Sequence, residues 1–254
     1  MTRRDFLGRS TQIALGLGAI QLGVGHAALS RGLGAPSLRR APLPARTAIL
    51  ADELTLGNDA ITAVWTTTGG SFRPARFSDG LNKMLLPAPA QAFTFTFADK
   101  STLHASDMRM MAPPHAEMLA ADTRASRGAE RLAGRQVTIT LQDSSGRIEA
   151  VWRGILRDGS RYIRQEITVR AIGAEVPLRE VTLLDVHVPN AMVPGTVRGT
   201  PIVIGNSYVA FEHPLADNSV DGDRVRCWMS RTLPLRPGTT LECSAVIGVA
   251  HPGQ

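Results

Sequence analysis

Short runs in which apolar and polar side chains alternate one by one recur through this chain from residue 49 to residue 249, and no stretch between them carries an apolar face at helical spacing. Alternation sends successive side chains to opposite faces of a strand, so each run buries one face and needs a second layer to cover it. The runs fall at 49–55, 61–67, 93–97, 137–141, 148–156, 162–169, 181–188, 202–204, 208–211, 225–229 and 241–249. Between them stand Asp79-Gly80, Ser145-Gly146, Asp158-Gly159, Asp221-Gly222 and Pro237-Gly238, dipeptides whose backbones reverse cheaply. Many short strands at close spacing predict an all-β fold, a large antiparallel β-sandwich. Residues 112–134 break the pattern with Pro113-Pro114, alanines and arginines, and read as a long excursion with one short helix over 117–124.

The first thirty residues follow different rules. Thr2-Arg3-Arg4-Asp5-Phe6-Leu7 precedes an uncharged Gly- and Ala-rich apolar run at 13–24, with small residues at Gly25 and Ala27. This resembles the Ser/Thr-Arg-Arg-x-Phe-Leu leader of proteins exported folded by the bacterial twin-arginine (Tat) route. The run is shorter than the ~20 apolar residues of a bilayer span, which argues against a membrane anchor. The resemblance implies a signal peptide over 1–27, a mature chain starting near Ala28, and a periplasmic or secreted location. Residues 28–46 are rich in Gly, Pro, Ser and Arg without an apolar period and read as a flexible linker, which leaves 47–254 as one β-sandwich domain.

Charge removes one function class. The formal net charge is +6, and residues 1–46 carry Arg3, Arg4, Arg9, Arg31, Arg39, Arg40 and Arg46 against Asp5 alone, which accounts for all of it. From Thr47 onward basic and acidic side chains balance, so the folded part lacks the basic stripe that a nucleic-acid partner requires. Cys227 and Cys243 lie symmetrically about Leu235 in a stretch that reads as a hairpin. Two readings stay open: a cross-strand disulfide, or two small buried thiols.

No Gly-x-Ser-x-Gly elbow is present to hold a nucleophile, and the histidines are scattered without His-x-x-x-His spacing, so neither a catalytic triad nor a metal centre is expected. Polar chemistry concentrates instead at 205–214, where a Gly205-Asn206 turn leads into a strand that ends in Glu212, His213 and Pro214. Asn206, Glu212 and His213 are the candidates for hydrogen-bonding sugar hydroxyls or a neighbouring domain; His213 also reads, and more simply, as a core or turn-satisfying residue. Asp217, Asp221 and Asp223 read as calcium ligands or as solvated turn residues. Trp65, Trp152 and Trp228 sit inside strand runs, where an indole serves either as core or as a platform for a pyranose ring.

The stretch from Val203 to the end, through Phe211-Glu212-His213-Pro214, Val225-Arg226-Cys227 and the closing Gly248-Val249-Ala250-His251-Pro252-Gly253-Gln254, resembles the N-terminal domain of exported alpha-galactosidase-like glycoside hydrolases. In that family a galactose-mutarotase-like supersandwich precedes a (β/α)8 catalytic barrel. The resemblance implies a non-catalytic scaffold or accessory domain, truncated before its barrel, with an apolar face where the barrel docks. It carries over no catalytic residue, because the paired carboxylates of retaining glycosidases belong to the barrel. It implies a carbohydrate, a barrel domain or a neighbouring protein as partner; no cofactor, no nucleic acid and, once the leader is removed, no membrane is expected. Two other functions compete: a free-standing mutarotase-like epimerase using Glu212 with His187 or His213 as acid and base, and a cell-envelope carbohydrate-binding or adhesion domain.

Overall fold

The computed structural model describes residues 44–250, so the leader and most of the linker lie outside the described residues. The chain opens with an antiparallel meander of β1 (Arg46–Leu50), β2 (Glu53–Gly57), β3 (Ile61–Thr66), β4 (Arg73–Asp79) and β5 (Met84–Leu86). There follow β6 (Thr94–Phe97), β7 (Thr102–His104), β8 (Arg109–Met110), β9 (His115–Leu119), β10 (Gly134–Gln142), β11 (Ile148–Arg157) and β12 (Tyr162–Ala171). The last elements are β13 (Leu178–His187), β14 (Ala191–Met192), β15 (Ile202–Ile204), β16 (Ser207–Phe211), β17 (Asp217–Asp221), β18 (Arg224–Ser230) and β19 (Thr240–Val249).

A nine-stranded sheet runs β14-β15-β16-β19-β12-β11-β10-β8, with β9 also paired to β10, and a second five-stranded sheet runs β17-β18-β13-β6-β7. Every pairing between these strands is antiparallel. The meander packs on β10, β11 and β12, and the second five-stranded sheet packs on β19, β16 and β15. The result is an all-β sandwich in which two smaller sheets cover the two halves of one face of the large sheet.

Alternation explains which face is covered. Along β12, Ile163, Gln165, Ile167 and Val169 point into the core, while Tyr162, Arg164, Glu166 and Thr168 point the other way. Trp65 and Trp152 are both buried, with rings edge-on at 4.9 Å, and Phe72 packs on Trp152 at 4.8 Å. Such a stack leaves no room opposite it: a Cβ on Gly154 would sit 2.8 Å from the Trp152 ring. On the other half of the core, the Gln165 amide donates to the Leu183 carbonyl at 2.7 Å, where the β13–β18 register shifts, so the irregular backbone is satisfied from the facing layer.

Three sequence expectations are corrected. The run at 49–55 is two strands, because Ala51 adopts φ 48° and with Asp52 closes a two-residue turn that pairs Leu50 with Glu53. The helix expected over 117–124 is absent: 115–119 is strand β9, whose backbone pairs with residues 134–138 of β10 and overrides the helical preference of the alanines. Cys227 and Cys243 are not two sides of one hairpin, since β18 and β19 belong to different sheets; both are free, buried thiols. At the start of the domain, β1 begins at Arg46 and Ala45 is buried, its N–H donated to Asp158 Oδ1 at 2.8 Å.

Candidate functional site

The uncovered face of the nine-stranded sheet carries the densest polar chemistry of the described residues. Cross-strand register builds it in rows. Tyr162 and Tyr208 stand on either side of Gly248. One row on, Arg164 lies between Ile155 and Val246, and in the next Glu166 lies between Arg153 and Ser244. Glu212 follows the end of β16, yet its N–H still donates to the Ser244 carbonyl at 2.8 Å, which holds its side chain beside that row.

Arg164 is the centre. Its side chain is only 10% exposed, a costly position for a cation unless it is paired. Nη1 lies 3.2 Å from Glu166 and 3.8 Å from Glu130, Nη2 donates to Ser244 Oγ at 3.1 Å, and Nε lies 2.6 Å from Glu212 Oε2. That last contact is short but off the N–H axis, so it is an ion contact and the Nε–H has no in-line acceptor among the described residues. Glu130 comes from a short 3-10 turn over Gly128–Arg131, in the excursion between β9 and β10. Arg157 anchors this excursion by donating to the carbonyls of Ala120 and Leu132 at 3.0 and 2.9 Å.

The two tyrosines, the only ones in the chain, border this cluster. A Cβ on Gly248 would fall 2.5 Å from Tyr208 Cε1 and Oη, so the glycine is what lets the ring lie across β19. Burial raises the pKa of both phenols; the charge of Glu212 adds to this at each, and at Tyr208 the neighbouring Tyr162 does too. Both therefore remain neutral hydroxyls, able to donate and accept.

Two cavities flank Arg164. The smaller, about 260 Å³, is bounded by Arg127, Arg153 and Arg164 with Glu166, Glu212 and Glu242, and His213 stands at its wall. The larger, about 430 Å³, is bounded by Arg127, Arg157 and Arg164 with Glu130, Glu166 and Glu212, together with Gln136 and Tyr162. Each balances three arginines against three glutamates. A ligand of high net charge would gain little there, whereas a neutral polyol meets donors and acceptors on every side.

The structure brings Glu212 and His213 to one cavity and leaves Asn206 apart. Asn206 sits at the other end of β16, in the β15–β16 turn, and lines a different cavity with Lys83 and Asn190. The His213 ring is engaged locally, its Nδ1 accepting the Leu215 N–H at 3.1 Å. His187 lies on a separate sheet, bonded to Asp223 at 2.9 Å, and borders another cavity with His104 and Arg224. Asp217 is held by both Nε and Nη2 of Arg198, and no group of three His, Cys, Asp or Glu residues able to hold a metal occurs among the described residues. Trp65 and Trp152 are core; Trp228 is half-buried on the second five-stranded sheet, with the Arg226 guanidinium 4.5 Å from its ring centre. Sequence reasoning missed Arg164, Glu166, Glu130 and both tyrosines. The signal was present in β12, where Tyr162, Arg164, Glu166, Thr168 and Arg170 occupy every outward position.

No protein-family model matches the chain, and no curated protein does. Among solved structures, the GH36 alpha-galactosidase AgaB from Geobacillus stearothermophilus aligns at 12% identity and TM-score 0.48, over 80% of this chain and 40% of its own. An alpha-galactosidase from Lactobacillus brevis aligns at 10% identity and TM-score 0.46, over 77% and 39%. A YidC insertase aligns at 9% identity and TM-score 0.45, over 82% and 42%. The chain thus spans about 40% of the length of these proteins.

Proposed function

We propose that this protein is a non-catalytic, saccharide-binding β-sandwich that serves as an accessory domain of an exported carbohydrate-active system. One observation carries the reading: a nearly buried arginine shared by three glutamates, bordered by two neutral phenols, between two cavities each lined by three arginines and three glutamates. Carboxylate and guanidinium pairs match the hydroxyls of a sugar, and tyrosine rings take its apolar C–H face. The sequence resemblance of the last fifty residues supports placing a catalytic barrel, in the same or a neighbouring protein, beside this domain. The Arg3-Arg4 leader supports export to the periplasm or beyond.

Isothermal titration of the mature domain against a panel of neutral hexoses and their di- and trisaccharides tests the reading. Binding is expected for the parent and loss of binding for Glu212→Gln, whose side chain lines both cavities. No heat from any member of the panel contradicts it. The same protein is expected neither to hydrolyse aryl alpha-galactosides nor to accelerate mutarotation, and either activity surviving rigorous purification overturns the accessory role. For export, Arg3-Arg4 replaced by Lys-Lys should leave precursor in the cytoplasm; normal export of that variant refutes the leader.

A further inference from the structure

The two cavities on the open face are not independent. Arg127, Arg164, Glu166 and Glu212 line both, so the Arg164–Glu212 pair forms a partition between compartments of about 260 and 430 Å³. The partition is low: Arg164 lies down in the sheet, whereas the Glu212 side chain stays about a third exposed above it. At about 260 Å³ the smaller compartment falls below the usual ~300–1,000 Å³ of small-molecule sites, the size of cleft that suits one ring rather than a chain. We infer that the site takes a neutral oligosaccharide of at least two rings, one in each compartment, with the linkage passing over the Arg164–Glu212 pair. This rests on the saccharide-binding reading above and goes beyond it by fixing the ligand's length and path.

The chemistry of the two sides differs in a way that gives each ring its own contacts. In the smaller compartment the Arg153 guanidinium donates to the Thr168 hydroxyl at 3.0 Å, and among the described residues no carboxylate lies within ion-pair distance of it. Its remaining donors are free for ring hydroxyls. The larger compartment offers Tyr162 as an aromatic surface, with Gln136 tied back to Glu117 and Thr138 at 2.7 and 3.0 Å. One ring is therefore held chiefly by hydrogen bonds and the other by stacking with hydrogen bonds at its rim. Arg127, from the excursion, stands at both compartments and closes the cleft on one side.

The test is a length series with the whole mature chain, titrating glucose, galactose and mannose and the corresponding homo-disaccharides and trisaccharides. Within the series that binds, the disaccharide is expected to bind about tenfold or more tightly than its monosaccharide, because it recruits a second set of contacts. Arg153→Ala and Tyr162→Ala, each checked for an unchanged melting transition, should each remove that gain and leave an affinity close to the monosaccharide's. Should either fail to fold, Arg153→Lys and Tyr162→Phe replace it, with partial loss expected. Equal affinity for mono- and disaccharide overturns the two-ring inference while leaving saccharide binding intact. Absence of binding across the whole series overturns both.

Discussion

Gly248→Ala is the perturbation whose cost the structure fixes most closely. Gly248 lies in the extended backbone of β19, so alanine meets no conformational barrier there, and glycine in a strand interior is itself about 0.5–1 kcal/mol worse than alanine. The obstacle is one side chain: the new Cβ would fall 2.5 Å from Tyr208 Cε1 and Oη, where carbon contacts settle near 3.5–4.0 Å. The ring must retreat by about 1 Å or more, and overpacking of this kind costs about 1–3 kcal/mol. Set against the gain from removing glycine, the net expectation is a loss of about 0–2.5 kcal/mol. In a Tyr208→Ala background the obstacle is gone, so Gly248→Ala should change sign and stabilise by about 0.5–1 kcal/mol. Urea unfolding of the parent, the two single variants and the double variant measures this cycle. The same cost in both backgrounds refutes the claim that the tyrosine ring, rather than the backbone, requires glycine at 248.

Removing the central cation, Arg164→Met, takes the ion-pair partner from Glu166 and Glu212 and leaves Glu130 with Arg127 alone, at 3.2 Å. Loss of one partner from a buried pair costs about 3–5 kcal/mol, but these carboxylates are 29%, 32% and 35% exposed and keep part of their water, so about 2 kcal/mol is expected by urea unfolding; a variant as stable as the parent refutes the pairing. Burial pushes the Cys227 and Cys243 thiols up to about 12, so a disulfide-exchange reagent at pH 8 should label neither in the native protein and both in denaturant; prompt native labelling, or two missing thiols after unfolding, contradicts this. For Asp143, burial opposes the charge but is outweighed by hydrogen bonds from the Ser145 side chain and the N–H groups of Ile148 and Ser145, so the folded pKa is lowered. Its contribution is complete above the unfolded value of about 3.9 and fades as pH falls through the lower folded value. Asp143→Asn should flatten that segment of the stability–pH curve, and an unchanged curve refutes the assignment.

Much of the fold was legible because alternation and turn chemistry are local. The runs at 137–141, 148–156, 162–169 and 241–249 all lie within long strands of the nine-stranded sheet, and Gly146, Gly159, Gly222 and Gly238 all take the positive φ that their dipeptides announced. What failed was set by partners distant in sequence. β9 is a strand because β10 offers it a ladder, and β18 and β19 part company because the chain switches sheets between them. The site was legible only in part for the same reason. Glu212 was visible as an acid at a strand tip, but its partner Arg164 comes from two strands away across β19, and Glu130 comes from the excursion. Only the register joins them.

The most direct test of the account is amide chemical-shift mapping of the isotope-labelled mature domain as a binding oligosaccharide is added. The account predicts shifts concentrated on Tyr162, Arg164 and Glu166 of β12, Ser244 and Gly248 of β19, Glu212, and the turn carrying Glu130. Shifts clustered instead around His104, His187 and Arg224 on the second five-stranded sheet, or none on the open face of the nine-stranded sheet, would contradict it.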